Sequence, residues 1–235
     1  MKNFVVAIDG PAGSGKSSIS KLVSKQLGFT HIDTGAMYRA VTLEALRRKI
    51  NVDDESEYDF IDEIDVVYKD GKIYLNGEDV SGLIRTSEIT NNASAVSKVK
   101  AVRDKMVIFQ RGCANYGNVL MDGRDIGTVV FPDADLKVFL TATPEERARR
   151  RCKENETLGV ESNYDIILKE IIARDYKDSH RAIAPLKQAD DAILVDTTKM
   201  SIEEVCKEII RLINERLAKN GKWFRKVARS KLHKD

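Results

Sequence analysis

The chain is 235 residues long, with a formal net charge of +2 and a hydrophobic share of 42%. This length is typical of one α/β unit with inserted subdomains, and the hydrophobic share is sufficient for a buried core. The near-neutral balance of charge gives no support to a general role in nucleic-acid binding. No apolar run approaches membrane-spanning length, so we expect no membrane partner.

Cysteine use and the start of the chain bear on cellular location. The three cysteines, Cys113, Cys152 and Cys206, are far apart and form no C-x-x-C pair. Neither a disulfide framework nor a zinc site is therefore expected. The N-terminus leads almost directly into the first predicted strand and leaves no room for a signal peptide. We predict a cytoplasmic protein.

A glycine-rich stretch near the N-terminus, residues 10–17, matches G-x-x-x-x-G-K-[ST] at every fixed position. Glycines in this pattern let successive backbone N–H groups form an anion-binding concavity, and the following helix adds its positive N-terminal end. Lys16 is expected to reach the β- and γ-phosphates, and the Ser17 hydroxyl to hold Mg²⁺. The predicted ATP-binding residues are Gly10, Pro11, Ala12, Gly13, Ser14, Gly15, Lys16, Ser17 and Ser18.

The elements around this loop predict the fold. An apolar run at residues 4–8 precedes it, and apolar residues recur at helical spacing from Lys16 to Leu27, ahead of a helix-stopping Gly28. A glycine-rich turn that matched the motif by accident would lack this order of strand, loop and helix. Because strands alternate with helices, we predict an α/β fold with a doubly wound, five-stranded parallel sheet. Its other strands are predicted at residues 29–32, 119–121, 136–140 and 192–195.

The segment between the second and third of these strands predicts an insert. Residues 64–69 and 72–75 are strand-like runs separated by Asp70-Gly71, a hairpin signal, and a short third run follows at Val80. Connections this short exclude parallel pairing, so we predict a small antiparallel sheet apart from the main one.

Other local patterns predict helices. The acidic residues 51–62 are predicted to be a surface helix or loop, and no element is predicted for the polar stretch 84–99. Helices are predicted from Arg103 to about Tyr116 and from Tyr164 to Arg174. Two more helices begin with capping-box signatures, formed by Thr143 with Glu146 and by Ser201 with Glu204.

Charged side chains follow the strands at one edge of the predicted sheet. Asp33, Thr34 and Arg39 follow the second strand, and Asp-Gly-Arg-Asp at residues 122–125 follows the third. Ligands of open parallel sheets lie beyond the carboxyl ends of the strands, so these side chains should face the glycine loop. Asp122 is at the usual place for a Mg²⁺-organising carboxylate, with a strand-end turn residue as the alternative. Arg39 is explained equally well as a solvated helix arginine.

Two observations favour phosphoryl transfer. An N-K-x-D motif is absent, which weighs against guanine-specific GTPases. Arginines from distant segments fall mostly at this sheet edge. Phosphoryl transfer between two anionic substrates needs such a distribution, because its catalysis is mainly positioning and charge neutralisation. They are Arg39, Arg103, Arg124, Arg147, Arg151, Arg174 and Arg181. Arg147, Arg150 and Arg151 share one predicted helix face, which is typical of a solvated surface or, at this edge, of contact with an anionic partner.

Five stretches of the chain resemble the bacterial cytidylate (CMP) kinases: residues 9–18, 33–39, 77–81, 122–134 and 181–186. The last two are far more specific than the phosphate loop. The resemblance implies the reaction ATP + (d)CMP → ADP + (d)CDP with Mg²⁺, and a P-loop kinase core with a lid and a monophosphate-binding domain. The implied division is a core at 1–35, 117–145 and 182–218, a monophosphate-binding domain at 36–116 with the β insert at about 64–80, a lid at 146–181 and a basic tail at 219–235.

The resemblance also implies roles for individual residues. The CMP phosphate would be held by Thr34, Arg39, Arg124 and Arg181, the base by Ser94, Arg103 and Asp125, and the sugar by Arg174 and Asp178. The catalytic residues would be Lys16, Arg124, Arg147, Arg151 and Arg181, and the Mg²⁺ ligands Ser17, Asp122 and Asp33. An aspartate can accept from the cytosine amino group while an arginine donates to N3 or O2, and uracil reverses two of these polarities.

Two alternatives share parts of this pattern. A kinase for another monophosphate (UMP or dTMP), or for a small hydroxylated metabolite, would have the same donor site. A nucleotide-switched protein whose basic tail contacts RNA would turn over ATP slowly without an acceptor and would bind RNA through residues 219–235 in a salt-sensitive way. The monophosphate-side motifs favour the kinase, for which ATP and CMP or dCMP are the expected partners and a monomer is the expected state.

Overall fold

The computed structural model of the protein describes residues 3–69, 71–157 and 159–219. The strands are β1 (Val5–Asp9), β2 (Thr30–Asp33), β3 (Val66–Lys69), β4 (Lys72–Leu75), β5 (Glu78–Asp79), β6 (Val119–Gly123), β7 (Leu136–Thr141) and β8 (Ile193–Asp196). The α-helices are α1 (Lys16–Leu27), α2 (Thr34–Arg47), α3 (Ser87–Val96), α4 (Lys100–Cys113), α5 (Pro144–Thr157), α6 (Tyr164–His180) and α7 (Ile202–Lys219). Asp70 of the predicted hairpin turn, and the predicted basic tail beyond Lys219, lie outside the described residues.

Five strands form a parallel sheet in the order β2-β6-β1-β7-β8, which confirms the predicted fold class. Every residue of β1 and β6 is buried, as in other parallel sheets that are covered on both faces. The register pairs Asp9 with Gly123, and Asp33 with Asp122. The ends of β1, β2 and β6 are therefore level, and the polar residues that follow them meet at one edge of the sheet.

Helices cover both faces of this sheet and create two separate cores. On one face Ala7 and Met121 pack in a core with residues of α2 and α4. On the other face Val6, Ile8 and Leu120 pack in a core with residues of α1 and α7. Successive residues of a strand point to opposite faces, so one apolar run supplies both cores. In the described ranges, no helix is long and apolar enough to cross a membrane.

The insert β3-β4-β5 is antiparallel and forms its own sheet, as predicted. Its residues Val66, Ile73 and Leu75 are buried in the same core as α2. Arg47 of α2 donates two hydrogen bonds to Glu78 of β5, at 2.8 and 2.9 Å. The insert therefore stands apart from the main sheet and packs on the helix that follows β2.

Helix α3 lies in the polar stretch for which no element is predicted. Thr86 Oγ1 accepts a hydrogen bond from Ile89 N at 3.4 Å, and Ile89, Ala93 and Val96 are buried. These positions form a narrow apolar stripe at i, i+4 and i+7, which serine and asparagine neighbours obscure in the sequence. Helix α4 begins at Lys100, ahead of the predicted start at Arg103, and ends at Cys113.

Two further predictions are wrong in part. The acidic segment forms two short 3₁₀ segments, Glu55–Glu57 and Asp59–Asp62, and its Phe60 and Ile61 are buried in the core rather than at the surface. Helix α6 continues to His180 instead of ending at Arg174. The added turns include Asp178, which is buried and belongs to the site described below.

The two predicted capping boxes have different outcomes. At the start of α7 the box is complete, with Ser201 N donating to Glu204 at 2.8 Å and Ser201 Oγ accepting from Glu204 N at 3.2 Å. At the start of α5, Thr143 Oγ1 accepts from Glu146 N at 3.3 Å. The Glu146 carboxylate instead binds arginines of its own helix, so this second box is only half formed.

Candidate active site

The phosphate loop joins the end of β1 to the start of α1. Gly10 has a φ of +152°, and a Cβ atom on it would lie 2.0 Å from Leu140 O of β7. No side chain fits between the loop and this strand. Gly15 ends the loop with a φ of +88°, a left-handed conformation that glycine adopts without strain.

Lys16, the first residue of α1, is buried against this loop. Its Nζ donates to Pro11 O at 2.6 Å and to Ser14 Oγ at 3.3 Å. Burial, with the nearby positive charge of Arg124, lowers the pKa of Lys16 well below its ordinary value. A bound anion stabilises a buried cation, so this is a favourable place for a phosphate group.

Asp122, at the end of β6, lies beside the start of α1. Its Oδ2 accepts from Ser17 Oγ at 2.6 Å, and its Oδ1 lies 2.6 Å from His31 Nε2. In nucleotide sites Mg²⁺ is bound by one or two protein oxygens together with substrate phosphates and water, so this hydroxyl and carboxylate fit the ion. The structure thus brings the predicted Ser17 and Asp122 together.

The polar residues after β2 are already hydrogen-bonded within the protein. Asp33 caps α2, accepting from Ala36 N at 3.0 Å and from Arg39 Nη2 at 3.2 Å. Thr34 Oγ1 donates to Asp122 O at 2.8 Å. The two Asp33 oxygens are thus engaged by the start of α2 and by Arg39, whereas Asp122 is the carboxylate that contacts Ser17. Arg39 is partly exposed and pairs with Asp33, so it lies with the other polar residues at this edge of the sheet.

Sequence reasoning missed Asp9, the last residue of β1. Its buried carboxylate accepts from Ile126 N at 2.8 Å and from Gly127 N at 2.7 Å. These bonds connect the segment after β6 to the strand that leads into the phosphate loop. Burial raises the pKa of Asp9 to about 6, although the two N–H bonds oppose the change. The available signal was an acid at the end of an otherwise apolar strand.

Because the pKa of Asp9 is raised, the free energy of unfolding should depend on pH. The folded protein binds more protons than the unfolded chain between the unfolded pKa of 3.8 and the folded pKa of about 6, so stability falls as the pH rises through this window. Relative to Asp9→Asn, wild type should lose about 2 kcal/mol of unfolding free energy between pH 4 and pH 8, most of it below about pH 6. Urea unfolding of both proteins from pH 4 to 8 measures this, and a difference that is constant with pH contradicts it.

A buried ion pair lies in the crevice beyond the carboxyl ends of the strands, where Asp125 follows β6. Arg103 Nη2 of α4 donates to Asp125 Oδ2, and the Arg181 guanidinium lies 3.9 Å from Asp125 Oδ1. The Arg103 and Asp125 side chains are only 4% and 6% exposed. Arg103 also lies over the Tyr38 ring, with its Cζ 5.9 Å from the ring centroid. A carboxylate acceptor and a guanidinium donor therefore stand side by side.

A second polar cluster joins α6 to the same crevice. Asp178 accepts from Arg124 Nε at 3.1 Å and from Ser94 Oγ at 3.4 Å. Burial alone would raise the pKa of Asp178, but Arg124 and Arg174 hold it below its ordinary value. Burial and the charge of Arg124 lower the pKa of Arg174 to about 10. Close packing of two guanidinium groups around one carboxylate makes the crevice favourable for an anion.

Arg147 is buried behind the phosphate loop instead of lying on a solvated helix face. Its Nη1 donates to Ala12 O of the loop at 3.0 Å, and its two Nη atoms bind the Asp175 carboxylate at 3.0 and 2.5 Å. This bidentate pair ties α5 to α6 and both helices to the loop.

The other two arginines of that predicted face also differ from each other. Arg150 donates to Thr197 Oγ1 at 3.0 Å and to Thr197 O at 2.6 Å, which anchors α5 to the segment after β8. Arg151 is half-exposed and pairs with Glu154 of its own helix at 3.1 Å. Of these three arginines, Arg151 is the one that lies on a solvated helix face.

The edge of the sheet therefore carries two candidate anion sites, and Arg124 and Arg174 lie near enough to Lys16 for their charges to add to the lowering of its pKa by burial. The glycine loop with Lys16 and Ser17 forms one, and the guanidinium groups of Arg124, Arg174 and Arg181 form the other. Phosphoryl transfer between two anionic substrates needs both, held at a fixed separation. Together, the fold and these two sites define the protein as a P-loop phosphotransferase.

Comparison with known proteins narrows the class. The family model for cytidylate kinase matches residues 6–215. The cytidylate kinase of Acholeplasma laidlawii (strain PG-8A) is 52% identical over 213 residues, covering 91% of this chain and 96% of the relative. That of Ligilactobacillus salivarius (strain UCC118) is 49% identical over 221 residues, covering 92% and 99%. The chain belongs to the cytidylate kinase family, which confirms the predicted resemblance.

The fold also has a counterpart among solved structures. A crystal structure of an uncharacterized protein from Eubacterium ventriosum ATCC 27560 aligns with a TM-score of 0.52 at 12% identity, covering 90% of this chain and 98% of that one. Identity this low supports the shared architecture alone.

Proposed function

We propose that this enzyme transfers the γ-phosphoryl group of ATP to CMP and dCMP, with Mg²⁺, giving CDP and dCDP. The observation that carries the choice of acceptor is the buried pair of Arg103 and Asp125 next to Arg181. Cytosine donates through its amino group and accepts at N3 and O2, which matches a carboxylate beside a guanidinium. Uracil would place a carbonyl against the carboxylate, and a mismatch between buried polar groups gives strong discrimination.

The donor half of the site is the phosphate loop, residues 10–18. Its backbone N–H groups bind the ATP phosphates, and the buried Lys16 ammonium neutralises the β- and γ-phosphates. Ser17 Oγ and Asp122 Oδ2, which are 2.6 Å apart, would hold Mg²⁺. When bound, the ion neutralises phosphate charge and orients the transferred group. Arg147 supports the loop through Ala12 O, and the half-exposed Arg151 is available to the transferred group.

The acceptor half holds the monophosphate in line with the donor. Thr34, Arg39, Arg124 and Arg181 bind the acceptor phosphate. Ser94 joins Arg103 and Asp125 at the base, and Arg174 and Asp178 meet the sugar. The acceptor phosphate is already ionised at neutral pH, so no general base is needed to make it a nucleophile.

The proposed division of the chain follows these roles. Residues 1–35, 117–145 and 182–218 form the core with the donor loop, and residues 36–116 form the monophosphate-binding domain that contains the β insert. Residues 146–181 form the lid, which carries Arg147, Arg151, Arg174 and Asp178. Helices α5 and α6 pack on each other through a small core of Ala148, Ile167 and Ile171, as a unit that moves together would.

The alternative functions lack comparable support. A UMP or dTMP kinase would not benefit from a carboxylate facing the base, and a nucleotide-switched RNA-binding protein would leave the second anion site unexplained. A coupled assay of ADP release with ATP, Mg²⁺ and one monophosphate at a time distinguishes them. CMP and dCMP should be the best acceptors, with little ADP release when no acceptor is present. A stronger response to UMP, dTMP or AMP contradicts the proposal.

A further inference from the structure

His31, on β2, belongs to no binding motif, yet it contacts the carboxylate of the proposed metal site. Its Nε2 lies 2.6 Å from Asp122 Oδ1, and the two side chains are 13% and 3% exposed. The strand partner of His31 is Leu120, so Asp122 lies two residues further along β6 on the same face of the sheet. At this diagonal spacing, a long side chain at position 31 can reach Asp122, whereas a short one cannot.

The carboxylate determines the chemistry of this contact. Asp122 Oδ2 accepts from Ser17 Oγ at 2.6 Å, and Oδ1 faces His31. An ionised carboxylate can only accept hydrogen bonds, so the shared hydrogen is on His31 Nε2. The imidazole also meets the Tyr68 ring of the insert edge-on, with 6.3 Å between the ring centroids and 81° between their planes. One oxygen of Asp122 is thus held by β2, and the other is left for the start of α1.

We propose that His31 is a positioning residue for Mg²⁺ binding, which orients Asp122 by holding its Oδ1. The hydrogen bond prevents rotation of the carboxylate and keeps Oδ2 directed at Ser17. Residues that orient a metal-binding side chain typically change metal affinity by about 10- to 100-fold. The inference rests on the proposed function, because it takes Ser17 and Asp122 as the protein groups that hold the ion.

The test compares two substitutions at this position. His31→Phe keeps an aromatic ring of similar size and removes the donor, whereas His31→Gln offers a side-chain N–H at a similar reach. Mn²⁺ is titrated into each protein in complex with ADP and followed by electron paramagnetic resonance, which measures metal affinity without turnover. We expect His31→Phe to weaken Mn²⁺ binding about 10-fold or more, and His31→Gln to recover most of the loss.

His180→Phe is the matched control. His180 lies on α6 and is exposed, and its Nδ1 contacts Tyr176 O and Ser179 Oγ rather than Asp122. This variant should bind Mn²⁺ as wild type does. Wild-type Mn²⁺ affinity in a folded His31→Phe protein overturns the inference, and so does an equal loss in His31→Phe and His31→Gln.

A measurement on the wild-type protein covers the case in which His31→Phe does not fold. A long-range ¹H–¹⁵N correlation spectrum, with the His31 signal assigned from the spectrum of His31→Gln, shows which ring nitrogen carries hydrogen. Hydrogen on Nε2 supports the inference, and a neutral ring protonated at Nδ1 overturns it. Failure of the proposed function is a separate result, because lack of CMP phosphorylation rejects that function while the Mn²⁺ titrations still decide the role of His31.

Discussion

Asp125→Asn is expected to lower kcat/KM for CMP by about 100-fold or more, while KM for ATP stays near its wild-type value. The substitution keeps the volume of the side chain but removes the carboxylate that pairs with Arg103 and faces Arg181. The new amide can donate to the carbonyl of uracil, so the preference for CMP over UMP should fall as well. Steady-state kinetics with each acceptor at saturating ATP measure both effects.

Stability must be measured alongside these rates. The substitution leaves a buried arginine without its anion, and breaking such a pair costs roughly 3 kcal/mol. The matched control is Asp104→Asn, since Asp104 follows Arg103 on α4 but is 63% exposed and pairs with Lys100. The control should have wild-type kinetics and stability. Unchanged CMP turnover in Asp125→Asn, or an unchanged ratio of CMP to UMP, contradicts the base-reading role.

Lys16→Met is expected to lower kcat on the order of 1,000-fold, because phosphoryl transfer depends on fixed positive charge at the β- and γ-phosphates. The fold should survive the change. Burial already lowers the pKa of Lys16 well below its ordinary value, so removal of the ammonium also removes the cost of burying it. Single-turnover kinetics measure the transfer step, and thermal unfolding measures the stability.

Lys21→Met is the matched control for this substitution. Lys21 lies on the same helix, α1, and is exposed to solvent. It should retain the wild-type transfer rate and unfolding temperature. A Lys16→Met enzyme that works within tenfold of the wild-type rate would show that the loop is not the donor site.

The main sheet and the donor loop could be predicted because one local pattern decides each of them. Apolar runs such as residues 4–8 form strands that are buried on both faces, and a phosphate loop between a strand and a helix has one common structure. The proximity of Ser17 and Asp122 also followed from the sequence, because the parallel strands β1 and β6 end level and bring the residues there to one edge.

The missing parts depend on contacts between distant segments. The narrow buried stripe of helix α3 depends on packing against α2. Arg147 and Arg151 belong to one arginine-rich run, yet Asp175 of α6 and the loop carbonyl of Ala12 draw the first into the interior. The bonds of Asp9 and His31 join residues more than ninety positions apart in the chain, so no local pattern could indicate them.

The central claim is that this site selects the cytosine base of its acceptor. A competition measures it most directly, with ATP, Mg²⁺ and equal concentrations of CMP and UMP in one reaction, and with CDP and UDP separated by chromatography at early times. Selection by Asp125 and Arg103 predicts that CDP forms at least about tenfold faster than UDP. Equal rates, faster formation of UDP, or ADP release without either product would contradict it.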